Sequence, residues 1–368
     1  MAWCASNKKS AVLLERIAVF GTMAVGSGRR LIWGVVLAGV LLGLRGPSGW
    51  PPDGSATSLA AAPALPAIGA WGMLASLLEA NSEMSVAELN GKVYVLGGYP
   101  SARVSVPTVQ VYDSKENRWS RTTPIPVALN HTMAATVRGK LYLIGGQTSA
   151  AGNGPFVNTV YEYDPGAATW TTRRPMPTER SAGVAVVAAG KIYVAGGRPP
   201  HGKDFAVYDP GTDLWRTLPD MPTQRNHLAA AAIDGKVYVA GGRFGAGFDS
   251  EKTDALELFD PATAGWTARA RMPRPRGGVN GIAAYGCFHV FGGEGNGQSP
   301  SGVFPDHDVY DPAADRWTHL DPMPVPVHGV TGAAFLNGLI DLPGGGIAQG
   351  GSSGSTIHQV YRPRMRCH

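Results

Sequence analysis

The sequence predicts an all-β fold: a six-bladed propeller whose last blade is completed by a strand from the N-terminal side. Three observations carry this. Glycine pairs begin at Gly97, Gly145, Gly196, Gly241, Gly292 and Gly344, spaced 48, 51, 45, 51 and 52 residues apart. Six tryptophans, Trp71, Trp119, Trp170, Trp215, Trp266 and Trp317, precede those pairs by 26 residues five times and by 27 once. Asp113, Asp164, Asp209, Asp260 and Asp311 each stand six residues before a tryptophan. A fixed internal period of this length marks a repeat architecture.

Each repeat has the same parts in the same order. A short run of small apolar residues such as "TMAATV" or "LAAAAI" comes first. Small side chains suit a first strand where six sheets converge. An alternating strand such as "GKLYLIGG" follows and ends in the glycine pair (Gly97-Gly98, Gly145-Gly146, Gly196-Gly197, Gly241-Gly242, Gly292-Gly293, Gly344-Gly345). Glycine there permits positive φ and close backbone approach. A variable loop leads to a third strand ending in Tyr-Asp or Phe-Asp, where the aspartate can cap its own turn. The tryptophan lies on a fourth strand and offers a large apolar area to a neighbouring sheet. Four strands of period two make one small antiparallel sheet, and packing against neighbours in a ring buries its faces. Trp71 has no third strand before it, and the last repeat, ending "HQVYRP", has no tryptophan after it. Pairing the two completes six sheets and hides the edges that a linear array would leave open.

Composition fits this reading. Of 368 residues, 44% are hydrophobic and 16% charged, which excludes a disordered chain. The 50 glycines and 29 prolines suit many tight turns. The net charge of +5 is concentrated at the N-terminal end. Residues 1–68 carry six basic and two acidic residues, which leaves 26 basic against 25 acidic in the rest. A nearly neutral body gives no case for nucleic-acid binding. Cys4, Cys287 and Cys367 form no zinc spacing and no disulfide-scaffold pattern, so Cys287, within a blade, is expected to be simply buried.

Residues 1–46 read as a signal peptide or membrane anchor, with Arg29 and Arg30 before an uncharged stretch, 31–44, of signal-peptide length. "RRLIW" is similar to the twin-arginine export motif, and Met23 reads as the translation start. Residues 47–67 form a Pro/Ala/Ser-rich linker, 68–362 the propeller and 363–368 a tail. The body is expected outside the cytoplasm, as a monomer that meets a membrane only through the N-terminal segment.

The combination of Gly-x-x-Tyr-x-x-Gly-Gly, Tyr-Asp and Trp followed by Met-Pro resembles the kelch repeat, over residues 71 to 361. Repeats five and six depart from the pattern. Repeat five has "GCFHVFGG"; repeat six has "GLIDLPGGG", where Pro343 removes a ladder donor and predicts an irregular blade. In kelch adaptors, arginines sixteen residues before the glycine pair point into the mouth of the propeller. The resemblance therefore implies that Arg180, Arg225 and Arg276 share one rim, with Asn81 and His328 in the matching places of blades one and six. Three guanidiniums around a concave mouth suit a carboxylate or phosphate. The other reading is that these arginines belong to the repeat itself and bond loop carbonyls and acids. Arg198 and Arg243 directly follow their glycine pairs, and Tyr99 and Glu294 take that place in other blades. With Asn130 they complete the rim candidates.

His131 and His227 both stand fourteen residues before a glycine pair, with His328 nearby. The third is out of register and no carboxylate accompanies them consistently, so neither metal nor cofactor is expected. "FPDHDVYD", with Asp306, His307 and Asp308, is expected to be a solvated edge. Kelch propellers include copper-radical oxidases and a sialic-acid epimerase family. No copper ligand set is present, and Arg276 with Glu294 only imitates the epimerase pair, without that family's long insertions. No catalytic residue is assigned. The expected function is a binding module for a protein, peptide or glycan, with specificity in the loops after the glycine pairs. The alternative is an enzyme acting on carbohydrate.

Overall fold

A computed structural model describes residues 64–100, 103–149 and 154–367. Residues 1–46, read above as a signal peptide or anchor, and most of the stretch read as a linker lie outside them. The described residues form strands and turns, and none of their helices is long and apolar enough to cross a membrane.

Six sheets are arranged as the repeat predicts. In blade two, Met133–Val137, Lys140–Ile144, Val160–Asp164 and Thr169–Arg173 pair antiparallel in chain order. Blades one, three, four and five repeat this pattern within 84–121, 184–217, 229–269 and 280–319. Blade six takes Ala334–Leu336, Leu339–Pro343 and His358–Tyr361 from the C-terminal side and Trp71–Met73 from the N-terminal side. Trp71 pairs with Tyr361, Gly72 with Val360 and Met73 with Gln359.

The core lies between adjacent sheets. Met133, Tyr142, Ile144 and Val160 of blade two pack on Ile192, Val194 and Tyr208 of blade three, all buried. Each repeat tryptophan also donates its indole N–H to a carbonyl of the preceding blade's outer end. Trp119 bonds Ala75 at 2.8 Å, Trp170 bonds Thr123 at 3.1 Å, and Trp71 closes the circle on Asp321 at 3.0 Å. The glycine pairs serve the same contact between blades. The Gly146 N–H donates to the Arg180 carbonyl of the next blade at 2.7 Å. A β-carbon on Gly145 would stand 2.5 Å from that carbonyl oxygen, so no larger residue fits there. The repeat aspartates cap their turns: Asp164 Oδ1 accepts from Gly166 N at 2.8 Å and Asp209 Oδ1 from Gly211 N at 2.9 Å.

The structure departs from expectation in three places. Pro343 ends its strand opposite His358, and the irregularity lies instead in the inner strand of blade six. That strand breaks at Gly332, where φ is +82°. Its first piece, Val330–Thr331, pairs in parallel with Met84–Ser85 of blade one. Second, the "FPDHDVYD" segment is buried rather than solvated. His307 packs on Trp71, Phe291 and Tyr361, and Asp308 pairs with Arg276 between strands. Its charged residues face inward because partners wait there. Third, Cys287 and Cys367 form a disulfide that ties the tail to the second strand of blade five.

Candidate functional site: the mouth of the propeller

The residue fourteen places before each glycine pair (fifteen in blade six) has positive φ in every blade. These are Glu83, His131, Ala182, His227, Gly278 and Gly329, with φ of 52°, 51°, 58°, 54°, 68° and 67°. Each donates its N–H to the carbonyl of the equivalent residue one blade earlier, giving Ala182 to His131 at 2.9 Å, His227 to Ala182 at 2.8 Å and Gly329 to Gly278 at 3.2 Å. Glu83 donates to Gly329, His131 to Glu83 and Gly278 to His227, at 2.5, 2.7 and 2.9 Å, so six bonds form a closed ring. In four blades a side chain occupies a backbone conformation that glycine adopts more cheaply.

This ring divides the axis. On one side a channel of about 270 Å³ runs between the small residues of the inner strands, among them Val86, Ala135, Val184 and Ala230. On the other side a mouth cavity of about 220 Å³ is bounded by Tyr99, Arg103, Arg198, Arg243, Phe248 and Glu294, with Glu83 and His131 also on its wall. Within the ring, a space of only about 10 Å³ touches Glu83, His131 and His227.

The polar groups here are interlocked and nearly fully buried. Glu83 Oε2 lies 3.0 Å from His131 Nε2 and 3.9 Å from His227 Nε2. Arg198 Nη2 reaches His131 Nε2 at 3.1 Å, and Arg243 Nη2 reaches His227 Nε2 at 2.9 Å. Arg243 also pairs with Glu294, whose other oxygen accepts from Gly350 N at 3.2 Å. Burial alone would raise the Glu83 carboxyl, but the facing His131, His328 and Arg243 hold it well below the usual carboxylate range. Burial pushes His131, His227 and His328 below the ordinary imidazole value. Burial and the neighbouring Arg198 bring Arg243 down to about 10.

Of the rim candidates, Tyr99, Arg198, Arg243 and Glu294 gather at this mouth, with Asn130 and His328 directly behind it. The arginines implied by the resemblance do not. Arg180 donates to Val194 O at 3.1 Å and Asp204 O at 2.9 Å. Arg225 bonds Val239 O at 3.1 Å and Glu257 Oε2 at 2.9 Å. Arg276 bonds Gly292 O at 2.9 Å and pairs with Asp308. Each guanidinium is buried inside its own blade, joining the end of the second strand to the third. Asn81 is likewise buried, donating to Gly97 O at 2.7 Å. The repeat reading of these arginines therefore replaces the rim reading. Sequence reasoning missed Glu83, Arg103 and Phe248. Glu83 was findable, because it occupies in blade one the register of His131 and His227.

Comparison with known proteins places the chain in context. The family profile described as the KLHDC2/KLHL20/DRC7 Kelch-repeats domain matches residues 78–221 and 171–340. "Kelch-like protein terF" of Aspergillus terreus is 31% identical over 300 residues, covering 77% of this chain and 64% of that protein. "Kelch-like protein 25" of Homo sapiens is 30% identical over 275 residues, covering 73% of this chain and 45% of its own length. The chain thus spans less than two thirds of these curated relatives. Among solved structures, one titled "Structure of YjhT" superposes with a TM-score of 0.65 at 18% identity, covering 78% of this chain and 96% of that one. At that identity the likeness concerns the fold. The periodic glycines, tryptophans and aspartates, the six sheets and the matching profile lead to one conclusion: the chain belongs to the kelch-repeat family.

Proposed function

We propose that this protein is an exported binding module that takes an acidic group of a protein, peptide or glycan ligand into the mouth cavity. The carrying observation is the balance of charge there: Arg103, Arg198 and Arg243 line the cavity against the two carboxylates Glu83 and Glu294. Guanidiniums gathered in a concave site favour a carboxylate or phosphate. Tyr99 and Phe248 add flat apolar surface to the same wall. The loops after the glycine pairs frame the entrance, where residues that vary between blades can set specificity.

Export is supported by the basic and then apolar pattern at 29–44 and by the Cys287–Cys367 disulfide, which suits an oxidising compartment. Fractionation of producing cells together with N-terminal sequencing tests it; recovery of uncleaved protein in the cytosol would sink the export reading.

Peptide and glycan arrays test the ligand. Binding is expected to concentrate on carboxylate-bearing probes, to vanish when the carboxylate is esterified, and to weaken at least tenfold in Arg103→Ala, whose side chain is exposed and outside the core. Equal binding to acid and ester would refute the reading. A carbohydrate-acting enzyme is the second reading, and the Glu83–His131 pair on the cavity wall favours it. It predicts deuterium incorporation into a bound sugar in D2O, abolished in Glu83→Gln.

A further inference from the structure

Three histidines face one carboxylate on the propeller axis, and each has its proton held on the far ring nitrogen. The Asn130 side-chain amide donates to Ser149 O at 3.1 Å, which turns its Oδ1 toward His131 Nδ1. The Asn226 amide donates to Arg243 O at 3.1 Å and Gly245 O at 3.0 Å, so its Oδ1 faces His227 Nδ1 at 2.5 Å. An amide oxygen only accepts, so Nδ1 carries the proton in both rings and Nε2 offers a lone pair inward. His328 Nε2 meets Ala348 O at 2.8 Å, leaving its buried Nδ1 without a hydrogen-bond partner. That nitrogen lies 3.9 Å from Glu83 Oε1 and 3.6 Å from Glu294 Oε2. Lone pairs and carboxylate oxygens converge here, an arrangement that asks for a positive centre.

We propose that Glu83, His131 and His227 bind a divalent transition-metal ion of the imidazole-preferring class, such as zinc or cobalt. Ligand atoms of a tetrahedral site with such an ion stand about 3.3 Å apart, given metal–nitrogen and metal–oxygen bonds of roughly 2.0–2.1 Å. The Glu83 Oε2 separations of 3.0 and 3.9 Å bracket that spacing. The three ligand atoms all lie within 4.8 Å of one another, and a space of about 10 Å³ adjoins all three residues. Asn130 and Asn226 are the outer partners that fix tautomer and ring orientation, as the hydrogen-bond acceptors behind metal-bound histidines do. The strained ring backbone aims all three side chains at the axis.

Before an ion enters, arginine N–H groups cap the lone pairs, Arg198 on His131 and Arg243 on His227. Entry breaks those two contacts while Arg198 keeps Ala246 O and Arg243 keeps Glu294. The two guanidiniums balance Glu83 and Glu294, so little net negative charge remains to hold calcium or magnesium. Imidazole chemistry, not charge, selects the ion.

The test is titration of chelator-stripped full-length protein with Co2+ and then Zn2+. One Co2+ per chain with visible d–d absorption, displaced by one Zn2+, is expected. Glu83→Gln and His131→Gln are each expected to weaken binding at least 100-fold with unchanged circular dichroism. His319→Gln, at the separate Asp306/Asp308/His319 cluster, is expected to bind as wild type. Arg198→Met, which removes one cap and leaves every ligand, is expected to bind about tenfold more tightly, and it covers the case in which a ligand variant fails to fold. Absence of stoichiometric binding by both wild type and Arg198→Met would show an arginine-capped structural plug and overturn the proposal. Full binding by folded Glu83→Gln would place the ion elsewhere and overturn it equally. Neither result depends on the acidic-ligand reading of the mouth.

Discussion

Arg180, Arg225 and Arg276 show how the same residue type at a repeated register can serve the scaffold. Each replaces hydration with carbonyls and acids of its own blade, and Arg225 has Glu257 as its buried counter-ion. Removing one partner strands the other. Arg225→Ala is expected to cost about 3–5 kcal/mol in urea denaturation, as for a broken buried pair. A loss below about 1 kcal/mol would mean the guanidinium is dispensable to the blade. A second residue-scale prediction concerns His289 and His307, which share a 2.9 Å contact among Trp71, Phe291 and Tyr361. Burial brings His289 down to about 4 and His307 well below its ordinary value. Both folded-state values are depressed, so the unfolded chain takes up protons first. Stability is full above about pH 6.5 and falls as pH drops toward 4, by roughly 3 kcal/mol for His289 alone. Thermal melts between pH 7 and pH 4 check this, and His289→Phe is expected to flatten the acid limb.

At the level of the strand and blade, most of the architecture was legible in the sequence. Spacing alone located every sheet, because each blade repeats the contacts of indole to carbonyl and glycine to carbonyl, and five add aspartate to turn. Features that break the period were not legible. The parallel pairing of Val330–Thr331 with Met84–Ser85 depends on Gly332 bending the chain, and one glycine among 50 carries no such signal. The mouth was legible in part. Tyr99, Arg198, Arg243 and Glu294 share a register directly after the glycine pairs and do meet there. Glu83 was overlooked because its blade lacks the histidine seen in its counterparts. The disulfide was illegible, since Cys287 and Cys367 lie 80 residues apart with only the fold to join them. Cross-links closing loops of this size typically contribute about 2–4 kcal/mol. Cys367→Ser is expected to lower stability by that amount under oxidising conditions and to leave it unchanged under reducing ones, as read by denaturant midpoint.

For the whole molecule, closure decides integrity. Outer edges join through Trp71–Met73 on His358–Tyr361, inner strands through Met84–Ser85 on Val330–Thr331, and the axis through six backbone bonds. A chain beginning near Ala80 keeps the inner contacts and loses the outer ones. It is expected to melt at lower temperature and to associate through the uncovered His358–Tyr361 edge. Retention of the wild-type midpoint would mean the outer strand is ornamental.

The Gly69 N–H donates to the Arg362 carbonyl at 2.7 Å, so the first and last stretches of the propeller meet. A short peptide joining them would make the polypeptide a loop, and the loop can be opened at the equivalent turn of any blade, for instance at Ser114–Lys115. Five permuted genes follow beside the existing one, each naming a different blade as the beginning. The numbering of the blades is then a property of the gene and not of the folded body.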